Sequence, residues 1–251
     1  MITTPARTGV RASKAPTTLV LMRHGESVRN KARKGAVYFA DDDARTLLKG
    51  IPDYKIALTP FGREQAAVTG AALRERFGVP DRIWHSGYRR TIETVDAIVS
   101  AWPGAEPPMR DIRSNPFIRE RDGGYTYDMT TAEAEAAFPW LKEYWDTSGG
   151  FFARPPGGES LADVVNRVYA FLDMLCGDGG ETVLVVTHAE ALGAFRFLLE
   201  QWSYDEARRF TEGPLPPNCG VTDYRYDADA GRFVLQNCDV VYWREADTLP
   251  V

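Results

Sequence analysis

Residues 21–27 read Leu-Met-Arg-His-Gly-Glu-Ser, and the fold prediction starts from this stretch. It overlaps an apolar and β-branched run that begins at Thr17, a pattern typical of a strand buried on both faces of a parallel sheet. The run ends abruptly in Arg23, His24 and Gly25. Open α/β sheets bind ligands beyond the carboxyl ends of their strands, so this junction is a candidate ligand site.

A second histidine occupies the same kind of junction. His188 directly follows the apolar run at residues 182–187. Central parallel strands end at the same edge of a sheet, so we expect His24 and His188 to lie close together. The chain has three histidines, and we expect the third, His85, to have a structural role. Two of three histidines at equivalent strand ends favour a functional pair.

The cation beside these histidines indicates an anion site. The guanidinium of Arg23 matches the geometry of phosphate oxygens, and Gly25 allows a close approach of the backbone. The neutral imidazole of His24 would be a competent nucleophile at phosphorus. Two alternatives are a structural histidine pair and a zinc site, the latter disfavoured because Arg23 would repel a divalent cation.

Composition limits the class of protein. A chain of 251 residues suits one large α/β domain or two small ones, and a formal net charge of -5 argues against general nucleic-acid binding. The three cysteines show no Cys-x-x-Cys spacing, which speaks against a disulfide framework and a zinc site and favours a cytoplasmic protein. No run approaches the ~18 apolar residues of a membrane span, so we expect no membrane association.

Regular elements alternate along the chain. Thr59 and Pro60 read as the N-cap and first residue of a helix, and Gly78 ends it. Ser160 and Asp163 resemble the capping box of another helix. Strand, helix, strand and helix in succession imply parallel pairing through crossover helices. The other predicted elements are strands around 83–86, 182–187, 221–226 and 233–237 and helices around 91–102, 192–199 and 203–210.

Two segments do not follow this alternation. Residues 31–57 lack clear periodicity, and a loop of this length either covers the substrate or is a solvated surface loop. Residues 104–130 are rich in Pro, Gly and charge and are predicted to be mostly loop. Apolar side chains recur at helical spacing over residues 131–145, which predicts one inserted helix despite Pro139.

The predicted fold class is α/β. We expect a three-layer sandwich, with a mostly parallel central sheet, helices on both faces and a small helical cap. Residues 17–251 would form this domain, and residues 104–158 would be the insertion near the active site. Residues 1–16 contain basic but no acidic side chains and are predicted to form a flexible tail.

Six short segments, taken together and in their order along the chain, form a recognisable set of motifs. They are RHGES at 23–27 followed by Asn30, LTPFGREQA at 58–66, SGYRRTIET at 86–94, IRE at 118–120, GES at 158–160 and TH at 187–188. Together they resemble the motifs of the histidine phosphatase superfamily, the phosphoglycerate mutase-like proteins. Six segments in register make this match specific, whereas a lone Arg-His-Gly would be weak.

The resemblance implies a role for each matching residue. His24 would accept the phosphoryl group, and Glu120 would protonate the leaving alkoxide and then deprotonate water. His188, the third catalytic residue, would help to hold the equatorial oxygens. The implied phosphate-binding residues are Arg23, Arg90, Asn30 and Ser27. The resemblance calls for no metal or other cofactor, and the expected partner is a small-molecule phosphate ester.

Two departures from the family pattern bear on the reaction. Ala189 follows the second histidine where the family usually has glycine, and the stretch between Asn30 and Leu58 lacks the Gly-Trp-x-Asp pattern of cofactor-dependent phosphoglycerate mutases. The missing mutase pattern favours hydrolysis over mutase activity, so we predict a metal-independent phosphomonoester hydrolase. Mutase-type phosphoryl transfer and a non-catalytic phospho-ligand-binding module are the alternatives, and a homodimer is left open.

Overall fold

The computed structural model describes residues 15–34, 36–102, 111–178 and 180–244. Residues 1–14 of the predicted tail and residues 104–110 of the predicted insertion lie outside these ranges. Within the described ranges the chain forms one six-stranded sheet. The strands are β1 (Thr18–Arg23), β2 (Arg82–His85), β3 (Ile112–Ser114), β4 (Thr182–Thr187), β5 (Val221–Asp227) and β6 (Arg232–Val240).

Helices cover this sheet on both faces. The helices of the described residues are α1 (Val28–Arg33), α2 (Asp42–Arg45), α3 (Pro60–Phe77), α4 (Arg89–Ser100), α5 (Thr131–Ala137), α6 (Leu141–Phe152), α7 (Leu161–Asp178), α8 (Ala189–Leu199) and α9 (Tyr204–Glu212). Short 3-10 turns in the described part of the chain lie at Asp53–Lys55, Pro116–Ile118 and Gly124–Thr126. None of the helices that the structure describes is long and apolar enough to cross a membrane.

The strand order brings the two predicted histidines together. The order is β3-β2-β4-β1-β5-β6. Strands β3, β2, β4 and β1 pair in parallel, β5 pairs antiparallel with β1, and β6 pairs antiparallel with β5. β1 and β4 are neighbours in the middle of the sheet, and their last residues, Arg23 and Thr187, pair in register. His24 and His188 therefore leave the sheet side by side at one edge.

Side chains of β1 alternate between two hydrophobic cores. Leu19 and Leu21 pack into the core formed with α7 and α8, whereas Val20 and Met22 pack into the core formed with α3 and α4. This alternation explains why every position from Leu19 to Met22 is apolar. The predicted three-layer α/β sandwich is confirmed.

Local capping chemistry starts the long helices where the sequence predicts. The hydroxyl of Thr59 accepts a hydrogen bond from the N–H of Gly62 at 2.9 Å, and Pro60 is the first residue of α3. Ser160 and Asp163 bond reciprocally at the start of α7, with N–H to side-chain oxygen distances of 2.8 and 3.1 Å. These interactions determine where α3 and α7 begin.

The prediction that residues 104–130 are mostly loop missed β3. This three-residue strand pairs in parallel with β2 at the edge of the sheet. All three of its residues are exposed, Ile112 included, so it lacks the apolar pattern that identifies a buried strand.

The prediction of one helix over residues 131–145 was wrong. α5 ends at Ala137 and α6 begins at Leu141. Phe138, which precedes Pro139, has φ -135° and ψ 65°, because the proline ring excludes its neighbour from the helical region. The helical spacing of the apolar residues therefore continues across a break in the backbone.

Candidate active site

His24 and His188 form a buried pair at the end of β1 and β4. Their ring centroids are 5.1 Å apart and the ring planes cross at 65°. The main-chain N–H of His24 donates to the carbonyl of Thr187 at 3.0 Å, which continues the pairing of the two strands by one residue. The predicted convergence of the two imidazoles is thus observed.

The hydrogen bonds of His24 assign its tautomer. Nδ1 lies 2.7 Å from the carbonyl oxygen of Gly25, which accepts only, so Nδ1 carries the proton. The lone pair is therefore on Nε2, which lies 3.2 Å from Nε of Arg90. Burial, and then the charges of Arg90 and Arg23, lower the pKa of His24 well below its ordinary value. The ring is consequently neutral at pH 7 and nucleophilic at Nε2.

His188 has the complementary arrangement. Its Nδ1 accepts from Nε of Arg90 at 3.3 Å, so Nε2 carries the proton and donates to the hydroxyl of Ser86 at 2.8 Å. The Ser86 hydroxyl also lies 3.0 Å from that of Thr91. Burial, followed by the charge of Arg90, lowers the pKa of His188 well below its ordinary value. The second imidazole is thus also neutral and presents an N–H at a defined position.

Two buried guanidinium groups supply positive charge to the pocket. Arg90, at the start of α4, shares its Nε–H between the two histidines, and Arg23 donates to the carbonyl of Pro216. Among the described residues, Nε of Arg23 is buried and has no hydrogen-bond partner. No group of three His, Cys, Asp or Glu side chains in the described part of the chain is arranged to hold a metal ion. The two guanidinium groups beside neutral imidazoles give the pocket a positive charge.

Glu120 presents a carboxyl group beside this cationic pocket. Its Oε1 accepts hydrogen bonds from the N–H of Arg121 at 3.0 Å and from the N–H of Glu190 at 3.1 Å. Burial raises the pKa of Glu120, with a further rise from the charge of Glu190, against the lowering effects of the Arg90 charge, the N–H of Arg121 and the Arg23 charge. Such a shift favours the protonated form that a general acid needs.

Sequence reasoning missed Arg167, which holds the segment that carries Glu120. Arg167 donates to the carbonyl oxygens of Phe117 at 2.7 Å, Arg119 at 2.8 Å and Glu120 at 3.1 Å. Glu159 accepts two hydrogen bonds from Arg167, each of 3.0 Å. Glu159 lies in the predicted Gly-Glu-Ser segment, but nothing in local sequence spacing indicates its partner.

Asp53 was also missed, and it reaches the site from the segment of unclear periodicity. Its Oδ1 and Oδ2 accept hydrogen bonds from Nη1 and Nη2 of Arg90 at 3.0 and 3.1 Å, and its carbonyl oxygen accepts from Nη1 at 2.8 Å. The 3-10 turn at Asp53–Lys55 thus lies against α4. Of the two interpretations of residues 31–57, this contact favours the one in which the segment covers the site.

Ser27 and Asn30 tie α1 to the backbone at His24. The Ser27 hydroxyl accepts from the N–H of Asn30 at 3.2 Å, and Oδ1 of Asn30 accepts from the N–H of Ser27 at 3.1 Å. Nδ2 of Asn218 donates to that same Oδ1 at 3.2 Å and to the carbonyl of His24 at 3.0 Å. Both residues lie at the site, and phosphate binding by them stays a prediction.

Two glycines let the turn that follows His24 pack closely against the start of α3. A Cβ atom on Gly25 would lie 2.3 Å from the carbonyl oxygen of Gly62, and a Cβ atom on Gly62 would lie 2.1 Å from that of Glu26. Neither position has room for a side chain. The carbonyl of Gly25 that assigns the His24 tautomer belongs to this closely packed turn.

The sequence of this chain matches a known protein family and individual relatives. A family profile described as the histidine phosphatase superfamily (branch 1) matches residues 19–239. A 2,3-bisphosphoglycerate-dependent phosphoglycerate mutase of Mycobacterium tuberculosis is 30% identical over 215 residues, which cover 75% of this chain and 79% of the mutase. A phosphoglycerate mutase-like protein of Arabidopsis thaliana is 32% identical over 173 residues, which cover 65% of this chain but only 54% of the plant protein.

Solved structures show the same fold. The structure of a mycobacterial glucosyl-3-phosphoglycerate phosphatase in complex with inorganic phosphate matches with a TM-score of 0.67 and 21% sequence identity. The match covers 90% of this chain and 99% of the phosphatase chain.

Proposed function

The chain belongs to branch 1 of the histidine phosphatase superfamily, and from this premise we propose that it hydrolyses phosphomonoesters through a phosphohistidine at His24. Membership supports phosphoryl transfer or hydrolysis as the class of chemistry. The main support for a phosphohistidine at His24 is the tautomer of this residue. Its Nδ1–H is bound to the carbonyl of Gly25, and its Nε2 lone pair faces Arg90.

In the first step, Nε2 of His24 attacks phosphorus and the bond to the leaving alkoxide breaks. Glu120 donates its proton to that alkoxide, a role supported by its raised pKa. Arg23, Arg90 and His188 stabilise the charge on the equatorial oxygens. The charge on these groups supports a reaction without metal.

In the second step, the same residues act in reverse. The Glu120 carboxylate accepts a proton from water as the water oxygen attacks phosphorus. The bond between phosphorus and Nε2 breaks, inorganic phosphate leaves, and His24 returns to its neutral form. Each turnover thus restores the protonation states of both residues.

The proposed substrate is a small phosphate ester of the cytoplasm. The mycobacterial proteins named above are a phosphoglycerate mutase and a glucosyl-3-phosphoglycerate phosphatase, so phosphorylated glycerates are the first candidates. Phosphoglycerate mutase-type transfer is the second candidate function, favoured by the name of the 30% identical relative. In that reaction the phosphoryl group passes from His24 to a second substrate oxygen instead of to water.

Hydrolysis of an aryl phosphate in the presence of a metal chelator tests the proposal. We expect turnover in the native protein and a loss of about a thousandfold or more in His24→Ala. His85→Ala is the matched control, because His85 is a half-buried histidine that bonds the N–H of Gly87 outside the pair. Isomerisation of phosphoglycerate without phosphate release would favour the mutase. Full activity in His24→Ala would contradict the proposal.

A further inference from the structure

The Asp53 carboxylate forms a fork-shaped ion pair with Arg90. The two carboxylate oxygens accept from Nη1 and Nη2 at 3.0 and 3.1 Å, in the paired arrangement that a guanidinium also makes with phosphate. The Arg90 side chain is 5% exposed and the Asp53 side chain 23%, so the pair is largely shielded from water. The nitrogens that would bind two phosphoryl oxygens are therefore engaged by an anion of the chain itself.

The same contact bears on the nucleophile. With its terminal nitrogens on Asp53, Arg90 directs its Nε–H at Nε2 of His24, 3.2 Å away. A lone pair that accepts a hydrogen bond is not free to attack phosphorus. Attack by His24 therefore requires Arg90 to turn, and Asp53 is the group that opposes this movement.

We propose that Asp53 is a resident anion of the phosphate site, which the phosphoryl group of the substrate must displace from Arg90. This inference rests on the proposed function, in which Arg90 binds that phosphoryl group. Asp53 is then a determinant of affinity, because each anion that binds must compete with a carboxylate held within the chain. After hydrolysis, the return of Asp53 to Arg90 favours release of inorganic phosphate.

The segment that carries Asp53 has contacts of its own, so the carboxylate can be tested separately. The Asp53 carbonyl accepts from Arg90 at 2.8 Å, the hydroxyl of Tyr127 donates to the carbonyl of Ile51 at 3.3 Å, and the N–H of Lys55 bonds the carbonyl of Pro52 at 2.9 Å. The substitution Asp53→Asn leaves the groups that make these three contacts unchanged. It removes the negative charge and replaces one of the two oxygens that accept from Arg90 with an NH2 group.

Titration calorimetry with inorganic phosphate on the full chain tests this competition. We expect Asp53→Asn to bind phosphate about tenfold more tightly than the native protein, the order of one charge-assisted hydrogen bond. Asp43→Asn is the matched control, since Asp43 is an exposed acid of α2 and its substitution changes the net charge of the protein by the same amount. Asp53→Ser provides a second variant without the carboxylate, and thermal unfolding of each variant checks that it is folded.

The outcomes separate the inference from the proposed function. Equal or weaker phosphate binding in folded Asp53→Asn would overturn the inference and make Asp53 a bystander or a support for Arg90. Absence of phosphate binding in every variant would overturn it as well. Tighter binding in Asp53→Asn, together with hydrolysis that survives in His24→Ala, would uphold the resident anion and contradict the proposed nucleophile.

Discussion

The guanidinium of Arg167, in the middle of α7, lies 3.1 Å from the main-chain carbonyl oxygen of Glu120. Two further carbonyl groups of the same loop, those of Phe117 and Arg119, accept from this side chain. Thr187, at the end of β4, also holds the loop by donating to the carbonyl of Ile118 at 2.7 Å. The proposed proton donor is thus positioned by residues that lie on a helix and a strand of the scaffold.

Arg167→Met should lower kcat about 10- to 100-fold with little change in KM, because a displaced acid affects proton transfer more than binding. Steady-state hydrolysis of an aryl phosphate measures both constants. Arg154→Met is the control, since Arg154 is an exposed arginine that pairs with Asp163 at the start of α7. Equal effects of the two substitutions would contradict a positioning role for Arg167.

The pH profile of kcat/KM should show opposite requirements for His24 and Glu120. Activity needs neutral His24, so it falls only below that residue's lowered pKa, well under the ordinary histidine range. It also needs protonated Glu120, so it declines as the pH rises through the raised pKa of that carboxyl. The profile is measured in the native protein and corrected for ionisation of the substrate.

Glu120→Gln should remove the alkaline decline and reduce the rate, because the amide cannot supply a proton. An alkaline limb that persists unchanged in Glu120→Gln would assign that limb to another group.

Mild acid should destabilise the folded protein through the histidine pair. The pKa values of both His24 and His188 are lowered by folding, so below about pH 6.5 the unfolded chain binds protons that the folded chain does not. Stability is therefore full above that pH and falls as the pH decreases, by up to about 2.7 kcal/mol per unit for two histidines. Urea unfolding between pH 7.5 and about pH 5 measures the slope.

His188→Asn should reduce that slope by about half, since one of the two protons is lost. Glu120 acts with the opposite sign, because its raised pKa makes the folded protein less stable as the pH rises from about 4.5 through that pKa. The slopes with and without His188 are therefore compared in proteins that both carry Glu120→Gln, which removes this opposing contribution. An unchanged slope after removal of His188 would show that folding does not lower the pKa of this imidazole.

Gly25→Ala should destabilise the protein by about 1–3 kcal/mol or more and reduce activity, because the new Cβ would collide with the carbonyl of Gly62. Thermal unfolding and the aryl phosphate assay measure the two effects. Gly177→Ala is the matched control, since no neighbouring atom lies within 4 Å of its added Cβ and alanine favours the helix. Native stability and activity in Gly25→Ala would contradict the observed close approach.

The sequence predicted those features that depend on neighbouring residues. The apolar runs of β1 and β4 indicated buried parallel strands, and their two terminal histidines meet as expected. Thr59 and Ser160 start α3 and α7 by capping chemistry that lies within four residues. The sequence did not predict β3, because its side chains are exposed and show no pattern of burial.

Contacts between distant segments could not be predicted in this way. Arg167 and Glu120 are separated by 47 positions, and Arg90 and Asp53 by 37, without a spacing that indicates either pair. Both contacts depend on how a loop crosses the site, which is determined by packing of the whole domain. Resemblance to a family identified Glu120 and Arg90, whereas only the structure shows the residues that hold them.

The most direct test of the central claim is to identify the phosphorylated atom. The enzyme is mixed with an aryl phosphate and quenched in alkali, because phosphohistidine is labile in acid, and the modified peptide is analysed by mass spectrometry and phosphorus NMR. We predict a phosphoryl group on Nε2 of His24, since Nδ1 donates to the carbonyl of Gly25. Phosphorylation at Nδ1 or on another residue, or rapid turnover that never labels His24, would contradict the account.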